Sequence, residues 1–496
     1  MSLSIFVKTI QNIMRGDSGI NGDAQRIEQL TWILFLKIYD LKEDDWDILE
    51  ENYQSIIPEN LRWKNWAVDN KDGTALTGDD LLKFVNEELF PTLKNLPVTD
   101  DTPKNKSVVR EVFEEVNQYM KNGVLLRQII NVIDEIKFET AKEKNFFGDI
   151  YENILKSLQS AGNAGEFYTP RAVTDFIIDR VAPDFGETVA DFACGTGGFL
   201  TSTLNYLLKR ENISAEQREF YSTNAVFGTE KKPFPYLLAI TNMLIHGVDI
   251  PNIFHGNSLE RRITEYTEEE KFPIIVMNPP YGGTELPIIR NNFPNDLRSN
   301  ETADLFIALI LYRLKFNGRA AVIIPDGFLF GTDAVKLELK KRLLEQFNLH
   351  TIIRLPAGVF SPYTSITTNI LFFDKTHKTE QVWFYRVDTP ADYKAFSKTR
   401  PMLFSHFSKC IDWWNDRHEI QDEDSENFKS KSFTVQELIN RNYDFDLCGY
   451  SSADEKILSI DETIKAITDF QNRRALLNSK IDSRLEKISS LLKHDQ

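Results

Sequence analysis

Three cysteines in 496 residues (Cys194, Cys410 and Cys448) are too few and too scattered for a disulfide framework. Seven histidines, spread along the chain, supply no metal-ligand pattern, and neither do the cysteines. No apolar run approaches the roughly 18 residues of a membrane helix, and the amino terminus has neither a basic lead nor a cleavage site. The expectation is a cytoplasmic protein with no membrane attachment and no metal. Positive charge is also short. Lys and Arg total 58 against 74 Asp and Glu, so the formal net charge is −16, with an isoelectric point near 5.1. Such a chain is not expected to grip nucleic acid unaided, although a local basic groove is compatible with it.

What the chain does have is enough apolar content, 42%, to build real cores, and a length that suggests two or three domains. The apolar run Phe272–Met277 reads as a buried strand of a parallel sheet. It runs into Asn278-Pro279-Pro280-Tyr281. Two prolines cannot continue a ladder, so the strand stops there and leaves Asn278 and Tyr281 at its carboxyl end, where ligands of open α/β sheets bind. Asn278 Oδ1 and the Pro279 carbonyl can both accept from a planar amino group, and Tyr281 offers a stacking face. Two acceptors would draw the nitrogen lone pair out of conjugation, which is what an N-methyltransferase needs. In isolation the tetrapeptide could equally be a Pro-rich turn with a capping Asn.

A donor site is legible upstream. Residues 188–194 read as a strand that enters Gly195-Thr196-Gly197-Gly198, and a helix follows from Phe199 to about Arg210. Strand, glycine turn and helix open a nucleotide-binding βαβ unit, although the pattern is neither the dinucleotide G-x-G-x-x-G nor a P-loop with its lysine. The glycines allow close backbone approach, and the helix start favours a carboxylate. Asp191 precedes the glycines. Glu230 ends the next strand, 225–230, placed to accept from both ribose hydroxyls; alone it could be a solvated strand end. It lies farther along than the roughly 20 residues of a dinucleotide fold, and a short helix from Ser214 to Tyr221, with Ser214 and Gln217 at capping-box spacing, accounts for the extra length.

These motifs resemble those of S-adenosylmethionine-dependent DNA adenine-N6 methyltransferases. The resemblance is closer still to the modification (M) subunit of type I restriction-modification systems. It is carried by Gly165-Glu166-Phe167-Tyr168-Thr169-Pro170-Arg171, Asp191 through Phe199, Asn278 through Tyr281, Ile324-Pro325-Asp326-Gly327, Leu355 through Phe360 leading to Thr368 through Phe373, and the Glu28–Lys37 helix. It covers most of residues 1–375. It implies that Glu166, Phe167, Tyr168, Thr169, Pro170 and Arg171 line the donor site, with Phe167 or Tyr168 beside the methionine end. Thr196, Gly197 and Gly198 would contact the methionine moiety, Glu230 the ribose, and Asn278 to Tyr281 the target adenine. After the third strand the family often has an acidic residue near the donor's adenine; here Gly256-Asn257-Ser258 presents an amide, which can still bond an adenine edge.

The chemistry expected is extrusion of the adenine from the duplex, stacking on Tyr281, and attack of N6 on the donor methyl, with no metal and no covalent intermediate. No Pro-Cys dipeptide occurs, so a cytosine-C5 mechanism through a thiolate is not expected. The partners implied are double-stranded DNA, a specificity (S) subunit, a second copy of the chain and a restriction (R) subunit. The S subunit also answers the acidic charge, since no room remains between the donor and catalytic motifs for an inserted DNA-reading domain. Two other readings stand beside this one: an N-methyltransferase acting on a protein glutamine amide, and a catalytically silent scaffold.

The fold expected is α/β, a seven-stranded, mostly parallel doubly wound methyltransferase sheet with an N-terminal helical domain and a C-terminal helical extension. Strands are predicted near 188–194, 225–230, 252–256, 272–277, 319–325, 350–355 and 367–374, the last inserted antiparallel. Four regions follow: 1–140 helical, 141–375 catalytic, 376–450 a mixed extension on the catalytic domain, and 451–496 a coiled-coil-like helix. In that last stretch Ile460, Ile464, Ile467, Leu477, Ile481, Leu485, Ile488 and Leu491 form a seam for a partner helix or for the chain's own domain. Residues 282–300 read as a polar loop over the pocket, either ordering on DNA or an ordinary surface loop.

Overall fold

The computed structural model describes residues 3–49, 51–136, 151, 168–364, 366–422 and 428–449. The predicted C-terminal seam, together with Glu166 and Phe167, lies outside these residues. Among the described residues, no helix is long and apolar enough to cross a membrane.

All seven predicted strands are present: β1 (Val189–Asp191), β2 (Val226–Glu230), β3 (Ile253–His255), β4 (Phe272–Met277), β5 (Leu314–Pro325), β6 (Asn348–Arg354) and β7 (Thr368–Asp374). Their order is β3-β2-β1-β4-β5-β7-β6. β1 to β5 pair in parallel, and β7 lies antiparallel between β5 and β6. The order reverses on either side of β1, so the carboxyl ends of β1, β2 and β4 converge on one crevice. The helix after the glycine turn is Gly198–Leu207, and Ala215–Thr223 begins with the expected Ser214–Gln217 capping box.

The sheet is not seven-stranded. It has ten strands, because β8 (Gln381–Arg386), β10 (Phe428–Thr434) and β9 (Ile420–Gln421) continue it beyond β6. β8 pairs in parallel with β6, placing Arg386 beside Arg354, and β10 then pairs antiparallel with β8. An open β6 edge would expose a row of unpaired backbone groups, and the extension covers it. Two buried arginines lock the cover in place. Arg354 donates to Asn369 Oδ1 at 3.2 Å and to Gly449 O at 3.0 Å, and it pairs with Asp326 and Asp446. Arg386 donates to Cys448 O at 3.2 Å and pairs with Asp388 and Asp422.

The N-terminal helices do not stand apart. Helix Gly22–Leu49 packs on helix Pro233–Ile245, and one continuous core runs from Phe6, Trp32 and Phe113 to Leu237, Met243 and Ile253. Lys42 pairs with Asp249 at 2.7 Å, and the Tyr236 hydroxyl donates to Glu111 Oε2 at 2.6 Å across the same boundary. This places the helical region behind the β2–β3 end of the sheet.

Replacing Arg354 with Met should strand Asp326 and Asp446 without their counter-charge. Removing one member of a buried ionic group costs about 3–5 kcal/mol. Denaturant unfolding should register that loss, with hydrogen exchange accelerating first in β8, β10 and residues 444–449.

Candidate active site

β1 ends at Asp191, and the chain turns through residues 192–197 before the helix begins. Gly195 (φ 55°) and Gly197 (φ 79°) occupy the left-handed region, which an L side chain resists, so the turn requires glycine at both positions. Cys194 N donates to Thr229 O at 3.0 Å, and Gly197 N to Cys194 O at 2.8 Å. From behind, Asn242 Nδ2 donates to the Thr196 carbonyl at 3.0 Å. The turn is therefore braced on its far side and open toward the crevice.

Glu230 sits at the carboxyl end of β2, directly against that turn. Its Oε2 accepts from Gly195 N at 2.9 Å and its Oε1 from Lys232 N at 2.7 Å. Burial pushes its carboxyl above the ordinary value, and these two N–H groups oppose the rise. Each oxygen keeps a second lone pair for a ligand. Asp191 is also buried, and desolvation lifts it to about 8 despite a bond from Ala193 N at 3.1 Å, with the Glu230 charge adding to the rise.

At the end of β4, Asn278 Nδ2 donates to Thr169 Oγ1 at 3.1 Å, while the Tyr281 hydroxyl donates to Asn278 Oδ1. These two partners orient the carboxamide with its nitrogen toward the Tyr-Thr-Pro segment and its oxygen toward Tyr281. Burial holds the Tyr281 hydroxyl well above its usual value, so it is a neutral donor.

One cleft joins these elements. Tyr168, Thr169, Asp191, Gly195, Gly198, Glu230, Asn257, Ser258, Asn278, Pro279, Pro280 and Tyr281 all line it. Asn257 Oδ1 accepts from Leu259 N at 3.1 Å, and the Ser258 hydroxyl donates to Phe192 O at 2.7 Å. Four expected residues stand behind the wall. Pro170 precedes helix Arg171–Val181, and Arg171 donates to Gly198 O at 2.9 Å and to the hydroxyls of Thr201 and Ser202. Thr196 and Gly197 form the back of the glycine turn, with Gly197 close to Met243 and Ala239. The cleft also uses residues that the sequence reading does not assign to it: Lys231, Lys232, Glu285, Phe306, Phe360, Tyr363 and Thr364. Phe360 ends the Leu355–Phe360 stretch and Lys231 follows Glu230, so both lie beside readable signals. Phe306 sits in an apolar helix and carries no local mark.

Asp191 has a stability consequence. A carboxyl whose folded value is raised is protonated in the native state but ionised in the unfolded chain once pH passes about 4, so its contribution falls as pH climbs toward 8. Asp191→Asn keeps an acceptor for Ala193 and cannot ionise. Its unfolding midpoint relative to wild type should therefore move in the variant's favour between pH 5 and pH 8; a constant difference across that range would place the titration elsewhere.

Comparisons with known proteins show the family to which this fold belongs. A family model described as N-6 DNA methylase matches residues 142–457, and one described as HsdM N-terminal domain matches residues 3–133. The methylase subunit of the type I restriction enzyme EcoEI from Escherichia coli is 48% identical over 453 residues, which is 90% of either chain. A modification subunit assigned to a type I restriction enzyme of Vibrio vulnificus superposes with a TM-score of 0.78 at 36% identity, covering 91% of this chain and 96% of that one. A chain from a structural study of complex assembly and conformational transition in the type I system superposes with a TM-score of 0.80 at 33% identity, covering 100% and 99%. Neither the glutamine-methylating nor the silent-scaffold reading finds support among these relatives. The chain belongs to the N-6 DNA methylase family, as the modification subunit of a type I restriction-modification system.

Proposed function

We propose that the cleft binds S-adenosylmethionine along the glycine turn and Glu230, and receives a flipped-out adenine beside Asn278. The observation that carries this reading is the Asn278 carboxamide. Its nitrogen is engaged by Thr169 and its oxygen by the Tyr281 hydroxyl, so a cleft-lining side chain holds an oriented acceptor that an exocyclic amine can use.

The residues present fit the donor. Gly195 and Gly198 bring bare main chain to the cleft wall, the start of helix Gly198–Leu207 favours a carboxylate, and Glu230 keeps acceptor capacity for ribose hydroxyls. Asn257 and Ser258 would meet the donor's adenine, Glu166 would line the donor site, and Phe167 or Tyr168 would meet its methionine end. When bound, S-adenosylmethionine supplies a methyl group on a sulfonium, which is already activated for displacement by the amine. This chain's own residues do the positioning. Asn278 Oδ1 and the Pro279 carbonyl accept from N6 and free its lone pair, and Tyr281 stacks on the ring. The Tyr281 hydroxyl holds the carboxamide oxygen in place until the amine arrives, and the second lone pair of that oxygen allows the exchange. Removing one positioned group of this kind costs about 10²–10³-fold in rate.

The catalytic unit is assigned to residues 141–375, with 376–450 built onto it. The helical region 1–140 and the stretch 451–496 are assigned to assembly. A specificity subunit supplies the DNA reading that a chain of net charge −16 does not, and a second copy and a restriction subunit complete the complex on double-stranded DNA in the cytoplasm.

Asn278→Ala should leave S-adenosylmethionine affinity near wild type by titration calorimetry while tritiated methyl transfer to DNA falls by about 10²–10³-fold. Loss of donor binding in that variant would remove Asn278 from its role. Truncation after Tyr450 should release the specificity subunit in co-purification. The sheet should stay folded, because the Arg354 and Arg386 contacts end at Gly449; a complex that survives the cut would refute the assignment of 451–496.

A further inference from the structure

The segment 282–300 is polar in composition, yet it is seated along its whole length. At its base Thr302 N donates to Gly283 O at 3.0 Å, and Thr284 bridges Glu301. In its middle Asn292 Nδ2 donates to Leu259 O at 3.0 Å and Glu260 O at 2.7 Å. Phe293 and Leu297 are fully buried, and Ile289 packs against the same core. At its far end the Ser299 hydroxyl donates to Asp304 Oδ2 at 2.7 Å, and that buried carboxylate also pairs with buried Lys336 at 3.0 Å.

Two side chains of this braced loop point the other way. Leu286 is 67% exposed and Ile288 is 72% exposed, on either side of Pro287 at the start of the short helix Pro287–Arg290. Glu285, immediately before them, lines the cleft and pairs with Lys231 across it at 3.5 Å. The turn of helix that packs half-buried Ile289 against the core thus presents its neighbours to solvent within three residues of cleft-lining Glu285. A single exposed aliphatic residue needs no explanation; two on a fixed loop at the mouth of a base-accepting site have a use.

We propose that Leu286 and Ile288 are positioning residues that enter the duplex as the target adenine leaves it and fill the vacated stack. The proposal rests on the base-extrusion reading given above. With an adenine in the cleft, the duplex it came from lies across the mouth that these residues border. Extrusion loses stacking and pairing, and an apolar side chain inserted at the gap recovers part of that loss. Leucine and isoleucine offer neither donors nor acceptors, so they support extrusion at any sequence and leave base reading to the partner. The anchored base of the loop makes the insertion productive, since no ordering of the segment is needed first.

The test uses the assembled complex with its specificity subunit and three duplexes: a fully paired target, one with the target adenine opposite an abasic site, and one with 2-aminopurine at the target position. The Leu286→Asn/Ile288→Asn double variant should methylate the paired duplex at least about tenfold more slowly in single turnover, yet stay within about twofold of wild type opposite the abasic site. Its aminopurine fluorescence rise should shrink, and Leu286→Met/Ile288→Leu should restore both signals. Equal slowing on the paired and abasic duplexes, or no slowing on the paired one, would overturn the wedge alone. A wild-type complex that methylates DNA without an aminopurine rise would overturn base extrusion and the wedge with it.

Discussion

The whole site depends on β4 stopping at Met277. Pro279 and Pro280 cannot extend the ladder with β1 and β5, so the chain leaves the sheet at the level where the carboxyl ends of β1 and β2 present Asp191 and Glu230. A strand one residue longer would carry the Asn278 side chain to the other face of the sheet. As built, the carboxamide reaches Thr169 through its nitrogen on one side and the Tyr281 hydroxyl through its oxygen on the other. The donor turn is held by the same economy of parts: Glu230 closes onto Gly195, and Asn242 closes onto Thr196.

Much of this is legible in the sequence, for a physical reason. Strands buried on both faces are continuous apolar runs, and glycine or proline marks where they end, so β1, β2, β4, β5 and β7 announce themselves. The glycine turn and the Asn-Pro-Pro-Tyr strand end carry chemistry that few structural roles require together. The strands beyond β6 are harder to read. β9 spans two residues, and β10 (Phe-Lys-Ser-Lys-Ser-Phe-Thr) is largely polar because it lies near the sheet's edge. What recruits them is the free edge of β6 and the pairing of Arg354 and Arg386 with acids distant in sequence, which no local pattern reveals. Phe306 and Tyr363 in the cleft wall escape for the same reason, since a hydrophobic residue declares nothing until the fold gives it neighbours. The loop 282–300 is the reverse case: its composition suggests a loose polar excursion, and Ile289, Phe293 and Leu297 pin it to the core.

The charge balance fits the same division of labour. Several basic groups are spent inside the molecule: Arg62 on Asp40 and Glu43, Lys336 on Asp304, Arg354 and Arg386 on the extension. The chain as a whole carries a formal net charge of −16, a balance suited to solubility more than to holding a polyanion. On the proposed reading, this chain contributes the geometry of one amine and one donor, and affinity for the duplex belongs to the assembly.

The most direct measurement is a structure of the assembled complex on target DNA with a non-reactive donor analogue. The account predicts an extrahelical adenine whose N6 lies within hydrogen-bond distance of both Asn278 Oδ1 and the Pro279 carbonyl, with the analogue's ribose on Glu230. An adenine still stacked in the duplex, or an amine bound away from Asn278 while the analogue fills the glycine turn, would contradict it.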